Sequence, residues 1–213
     1  VLFSRDTQAI FWNNHQTAIQ RMLDYDTLIG RELPSVAAIV SPTGSSRFGK
    51  FFFGSSEILV PIYKSTAAAI AAHAQASVLL NFASFRRAYR ISLEALDTPG
   101  IDTIMITAEG IPERHARALK LHAQALGKLV IGPATVGAIT PGAFKIANIG
   151  GTLENIIASK LHRAGSCGGQ AHHPPRHAPR RRRSFSGTPR GPDSCPFRDN
   201  AGGPGQRGPG RCQ

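Results

Sequence analysis

The stretch IDTIMITAEGIPERHARALKLHAQALGKLVIGPATVG, residues 101–137, decides the fold. Its apolar run at Ile104, Met105 and Ile106 reads as a strand, and Thr107 to Gly110 as a turn. Pro112 to Leu126 reads as a helix, and Leu129, Val130 and Ile131 as a second strand. Pro112 suits the first helical position and Gly127 the residue just past the end, so both helix boundaries carry their own signal. Continuous apolar strands flanking a helix of this length predict a right-handed βαβ crossover in a parallel sheet. Such sheets bind ligands at the carboxyl ends of their strands. Glu109 and the Gly132–Gly137 loop both fall there.

Working outward, Val36 to Val40 is a short apolar strand, followed by Ser41-Pro42-Thr43-Gly44-Ser45-Ser46-Arg47, rich in small and turn-forming residues. Ile58 to Tyr63 predicts another strand, and Ser65 is a good N-cap for an Ala-rich helix through Ala74. Val78 to Leu80 is the next strand, and Ser84 opens a helix to about Leu96. This alternation predicts an α/β domain over residues 34–165, a Rossmann-like parallel sheet with helices on both faces. Residues 1–33 read as an opening arm whose periodicity is too weak to assign an element. Thr152 to Leu161 reads as a short closing helix.

The formal charge of +12 divides unevenly. Residues 166–213 hold nine Arg, no Lys and two Asp, and so carry +7 of it. That segment has eight of the fifteen prolines and no Leu, Ile, Val, Met, Trp or Tyr. It cannot bury enough apolar surface to offset its ordering entropy and is expected to be a disordered basic tail. All three cysteines, Cys167, Cys195 and Cys212, lie in it, so residues 1–165 are not a disulfide scaffold, which is compatible with a reducing compartment. No apolar run approaches the ~20 residues that span a bilayer, so a soluble protein without membrane association is expected. The chain starts at Val1 rather than Met, and an amino-terminal piece is expected to be missing.

Four strand ends could carry chemistry: Thr43 to Arg47, Asn81 to Arg87, Thr107 to Gly110 and Gly132 to Gly137. Arg86 and Arg87 fall in the first turn of a helix, where the macrodipole already places partial positive charge. A bound anion would relieve that conflict, and free helix N–H groups with arginines make a phosphate site. The bland alternative is two arginines splayed into water or paired with a surface acid. Residues 1–165 hold neither the G-x-G-x-x-G fingerprint nor a P-loop, which argues against NAD and independent nucleotide hydrolysis. Glu109 is either a functional carboxylate or one that accepts backbone N–H bonds in its turn. His115 and His122 read as core-margin residues. Cys167, His172, His173, His177 and Cys195 match no zinc-finger spacing, so no metal is expected. Arg180 to Arg183 lack an aromatic platform, so a solvated tail is expected rather than a nucleic-acid partner.

These motifs resemble the acyl-CoA synthetase superfamily that includes the succinyl-CoA synthetase α subunit, and within it the ATP-citrate lyase family most closely. The residues that carry this are Ala108 to Glu113, Ile131 to Gly137 and Pro141 to Ile146. The choice of ATP-citrate lyase rests on Phe3 to Phe11, Ile19 to Asp26 and Asn81 to Arg86, since succinyl-CoA synthetases lack that opening arm. The resemblance spans residues 2–166 and implies the CoA-binding domain of the CoA-ligase part. It implies that Thr43, Gly44, Ser45 and Ser46 line the coenzyme A loop and that Ser84 and Arg86 contact coenzyme A. Thr107 and Ala108 would border it, and Glu109 would orient groups at the catalytic centre. The family reaction uses ATP and Mg2+ to phosphorylate a histidine and passes the phosphate to citrate. Coenzyme A then attacks citryl-phosphate, and citryl-CoA is cleaved to acetyl-CoA and oxaloacetate. The implied partner is an ATP-grasp citrate-binding subunit or domain, in a cytoplasmic hetero-oligomer. Other readings are a non-enzymatic CoA-binding or regulatory module and a succinyl-CoA synthetase α-like subunit.

The resemblance stops after Leu161 to Ser166. The family continues there into an apolar strand, a Ser-Arg-Ser-Gly-Gly turn and a second domain with the phosphorylated histidine, whereas this chain turns to Cys167-Gly168-Gly169-Gln170. A tail dominated by Arg, Pro, Gly and Ala is what a GC-rich frame gives after a shift. The expectation is a frameshifted gene end and a fragment not competent alone, and sequencing the transcript through the Ser166 codon tests it.

Overall fold

A computed structural model describes residues 2–45, 47–160 and 162. The expected tail, the zinc-spacing residues, the arginine run and Ser46 lie outside the described residues.

Among the described residues seven strands form one sheet. In chain order they are β1 (Gln8–Trp12), β2 (Val36–Val40), β3 (Phe48–Phe53), β4 (Ser56–Tyr63), β5 (Ala76–Asn81), β6 (Thr103–Ile106) and β7 (Leu129–Ile131). Their spatial order is β3-β4-β2-β1-β5-β6-β7, and every pairing is parallel except β3 with β4. Leaving out β3, the parallel strands taken in chain order lie as third, second, first, fourth, fifth, sixth, which is the Rossmann arrangement with its reversal between β1 and β5. The sequence also forms the helices α1 (Gln16–Leu28), α2 (Thr66–Ala72), α3 (Phe85–Asp97), α4 (Glu113–Ala125) and α5 (Leu153–Ala158), and a small hairpin of β8 (Ile139–Thr140) and β9 (Phe144–Lys145).

The central strands read as unbroken apolar runs because both faces are covered. Alternate residues divide between two clusters. Ile10, Leu79, Ile104 and Ile106 pack with Ala88, Ile91 and Leu119 of α3 and α4. Phe11, Val78, Leu80 and Met105 pack with Ile19, Met22 and Leu23 of α1 and with Phe144 and Ile146. The crossover expected over residues 101–137 is present, with β6 and β7 parallel on either side of α4. Pro112 sits one position earlier than expected, as the N-cap, and the helix starts at Glu113. Gly127 closes α4 at φ +65°, the left-handed conformation that suits glycine there. Ser65 caps α2 as expected, its hydroxyl accepting the Ala68 N–H at 3.2 Å.

Two segments differ from the sequence reading. Residues 1–33, read as an arm without elements, supply the central strand β1 and the helix α1. The helical stripe was obscured because the buried face of α1 includes Asp26, a carboxylate, among Ala18, Ile19, Met22 and Leu23. The second segment is β3, whose sequence carries no clear strand signal. It folds back along β4 through a turn at Gly54, whose φ is +63°.

Asp26 belongs to a buried polar joint. Its Oδ2 accepts the Ser35 N–H at 2.7 Å, and its Oδ1 lies 3.4 Å from Nε of Arg31. Arg31 also donates to the carbonyls of Leu33, Thr7 and Ala143. Tyr25 Oη accepts the Gly142 N–H at 2.8 Å, and the buried Lys145 Nζ donates to the Ala147 carbonyl at 2.5 Å. The β8–β9 hairpin is thereby fastened to α1. Burial raises the Asp26 carboxyl to about 6, against the opposing hydrogen bonds to Ser35 and the Arg31 charge, and burial with the nearby Arg21 lowers Lys145 to about 8.

Since the folded-state value for Asp26 lies above the ordinary 3.8 of an aspartate, the folded chain holds more protons than the unfolded one between about pH 4 and 6. This group therefore favours folding below that window, and its contribution is lost as pH rises through it, by at most ~3 kcal/mol. Urea unfolding of the wild-type and Asp26→Asn chains at pH 4.5 and 7 checks this. The stability of the wild type relative to the variant should fall with pH, and a constant difference would contradict the raised carboxyl.

Candidate functional site

Because the strands are ordered β2-β1-β5-β6-β7, their carboxyl ends place five loops side by side: 41–45, 13–15, 82–87, 107–110 and 132–137. At about 4.8 Å per strand the row is roughly 19 Å long. It contains the residues expected from the sequence, in spatial order Thr43, Gly44 and Ser45, then Ser84 and Arg86, then Thr107, Ala108 and Glu109.

At the β5 end, the fully buried Asn81 fixes the entry to α3. Its amide donates to the Ala88 carbonyl at 2.9 Å and to Ser92 Oγ at 3.0 Å, while its Oδ1 accepts the Ala83 N–H at 3.0 Å. Ser84 takes the N-cap position, yet its hydroxyl makes no cap hydrogen bond. Its carbonyl accepts the N–H groups of both Arg87 and Ala88. The hydroxyl of Ser84 and the N–H groups of Phe85 and Arg86 have no partner among the described residues. Arg86 lies over the Phe85 ring at 5.6 Å, and Arg87 over the Trp12 ring at 4.8 Å. Neither arginine has an acidic partner among the described residues.

The neighbouring turns are tied to this entry. Thr107 donates both its N–H and its hydroxyl to the Asn81 carbonyl. The Ala134 N–H donates to the Ala108 carbonyl at 3.1 Å, which joins the last two loops. Glu109 is exposed, and no described residue donates to its carboxylate, so it is not held by the N–H groups of its own turn. Gly110 beside it has φ +76° and open space where a Cβ would stand. Gly132 permits a close approach, since a Cβ there would lie 2.5 Å from the Ile106 carbonyl oxygen. Thr43 and Ser45 are exposed, and next to their loop a groove of about 550 Å³ is lined by Arg47, Phe48, Tyr63 and Lys64. A larger groove, about 850 Å³, runs along α4 and β7 and meets the row only at Gly132 and Pro133.

Sequence reasoning missed the loop after β1, which stands at the topological switch point. Asn13 adopts φ +81°, with its amide 3.4 Å from the Phe82 carbonyl. His15 caps α1, Nδ1 accepting the Ala18 N–H at 3.3 Å, and its ring packs against Phe82 at 4.8 Å. The signal was present as Ala9 to Trp12 followed by Asn13, Asn14 and His15 ahead of a helical stripe.

His115 stacks on Tyr89 and His122 lies 2.6 Å from Asp97, so both serve the α3–α4 interface. Among the described residues no group of three or more His, Cys, Asp or Glu side chains comes together, and no helix is long and apolar enough to cross a membrane.

No family model matches the sequence. Individual relatives do. The ATP-citrate synthase beta chain protein 1 of Arabidopsis thaliana is 53% identical over 167 residues, which are 78% of this chain and 27% of that protein. The ATP-citrate synthase of Homo sapiens is 50% identical over 165 residues, 78% of this chain and 15% of that one. Among solved structures, ATP citrate lyase from Methanothrix soehngenii in complex with citrate and coenzyme A superposes with a TM-score of 0.75 at 47% identity, over 76% of this chain and 26% of that one. A mutant ATP citrate lyase of Methanosaeta concilii in complex with (3S)-citryl-CoA gives the same values. The chain thus spans about a quarter or less of the relatives it matches. With half of the residues identical across the whole sheet and the same fold, the chain belongs to the ATP-citrate synthase family, as a partial member of it.

Proposed function

We propose that this chain is the coenzyme A-binding part of an ATP-citrate synthase, the enzyme that makes acetyl-CoA and oxaloacetate from citrate, coenzyme A and ATP. The observation that carries the proposal is the α3 entry. An uncommitted Ser84 hydroxyl, two open N–H groups and an acid-free Arg86 follow one another at the start of α3, beside the switch point of a Rossmann sheet. Such a set suits phosphate. The row of loops on either side suits a ligand as elongated as coenzyme A, and the relatives solved in complex with coenzyme A or citryl-CoA share this fold.

Coenzyme A, when bound, supplies the thiol that receives the acyl group. Thr43, Gly44, Ser45 and Ser46 would border one end of the ligand, Ser84 and Arg86 would hold phosphate, and Thr107 and Ala108 would shape the path toward Glu109. With its carboxylate free and Gly110 leaving room beside it, Glu109 would orient the reacting groups as a catalytic residue. ATP, Mg2+ and the phosphorylated histidine belong on this proposal to other parts of the enzyme. An ATP-grasp citrate-binding subunit or domain would supply them in a cytoplasmic hetero-oligomer.

Calorimetric titration of the full chain with coenzyme A tests this. Binding is expected, and Arg86→Ala should weaken it about tenfold through loss of a charge-assisted contact. Absence of binding by the wild-type chain would refute the assignment.

A further inference from the structure

Arg87 is the third residue of α3, and its guanidinium lies 4.8 Å from the centroid of Trp12, the last residue of β1. Trp12 is 7% exposed, so the indole is a fixed surface rather than a mobile partner. Arg87 is exposed, and among the described residues it has no carboxylate and no side-chain hydrogen bond. Stacking uses the face of a guanidinium and leaves the N–H groups around its edge free. The contact joins the end of β1 to the helix that follows β5, and β1 and β5 are the strands between which the sheet order reverses, the point at which Rossmann sheets receive ligands.

We propose that Arg87, held over the Trp12 ring, is a positioning and affinity-determining residue that presents a bidentate fork to a phosphate group of the bound coenzyme. The inference rests on the coenzyme A reading above and deepens it. Three features carry it together. The guanidinium rests over a buried indole, which removes part of the ordering cost of a long side chain. Its donors have no competing acceptor. On the same helical turn, the Ser84 hydroxyl and the N–H groups of Phe85 and Arg86 supply further donors to the same anion. A planar fork differs from a point charge, so a lysine in this place would keep the charge and lose the geometry.

Trp12 is the only tryptophan of the chain, so the stack reports on itself. The test titrates coenzyme A into the full-length wild-type, Arg87→Ala and Arg87→Lys chains, with affinity read by calorimetry and the stack by tryptophan emission. Wild-type emission should change on binding, Arg87→Ala should bind about tenfold more weakly, and Arg87→Lys should recover no more than about threefold of that loss. Repeating the titrations with dephospho-coenzyme A locates the phosphate. A persisting Arg87 effect assigns the fork to the diphosphate, and a vanished one assigns it to the 3′-phosphate. Unaltered affinity in Arg87→Ala, full rescue by lysine, or silent tryptophan emission during calorimetrically visible binding overturns the fork while leaving the coenzyme site standing. No binding by the wild-type chain overturns both.

Discussion

An Arg31→Ala chain is expected to be about 3–5 kcal/mol less stable than the wild type, the range for removing one partner of a buried, hydrogen-bonded ion pair. The side chain lies in a closed setting, with the residue only 6% exposed. Three carbonyls, from Thr7, Leu33 and Ala143, accept its hydrogen bonds, and Asp26 Oδ1 lies 3.4 Å from its Nε. Truncation strands Asp26 without its cation and leaves three carbonyl oxygens short of a donor. It also cuts one of the ties between the amino-terminal segment and the β8–β9 hairpin. Arg31→Lys keeps the charge but cannot reach three separated carbonyls, and should recover less than half of the loss. Urea unfolding followed by circular dichroism measures both variants. If Arg31→Ala costs under about 1 kcal/mol, water must be satisfying these groups and the joint is not the dry cluster described here.

A comparable loss, about 3 kcal/mol or more, is expected for Gly137→Ala. Two separate effects act at this residue. Its φ of +127° is a conformation that L side chains rarely adopt, and an added Cβ would collide with the Ile146 carbonyl oxygen. Because the obstacle is backbone, relief would require the loop to lift from the segment that follows β9. Gly30→Ala is the control, since Gly30 has φ +67° and nothing within 4 Å of an added Cβ. It should cost only the conformational strain, roughly 1 kcal/mol. The difference between the two variants in melting or urea unfolding isolates the collision. Equal costs would mean that the 132–137 loop yields freely. Should Gly137→Ala fold but lose affinity for coenzyme A, the loop would count as part of the ligand's border.

Much of this architecture was legible from the residues alone. Val36 to Val40, the run around Val78 to Leu80, and Ile104 to Ile106 announced buried parallel strands because each is apolar on both faces. Ser65 and Gly127 marked helix ends through local chemistry that needs no tertiary contact. What failed was governed by distant contacts. The stripe of α1 was broken by Asp26, whose burial makes sense only beside Arg31 and Ser35. Strand β3, with Phe48 and Phe52 exposed and Phe51 buried, shows weak alternation because it lies at a sheet edge. Within the candidate site, Ser84 and Arg86 could be found from helix-start logic. The Trp12–Arg87 stack could not, since it joins residues 75 positions apart that meet only when β1 and β5 pair.

That pairing sets an order of events for the growing chain. The central strand β1 is made first, but its two partners are residues 36–40 and 76–81. Its second edge therefore waits for about 69 further residues, which at 5–20 residues per second is roughly 3–14 s of synthesis. Through that interval the nascent chain carries Ile10, Phe11 and Trp12 with one flank open. Contacts so distant in sequence also close slowly. Any chaperone that attends this domain on the ribosome should bind earliest at residues 8–12 and let go once Asn81 has cleared the exit tunnel.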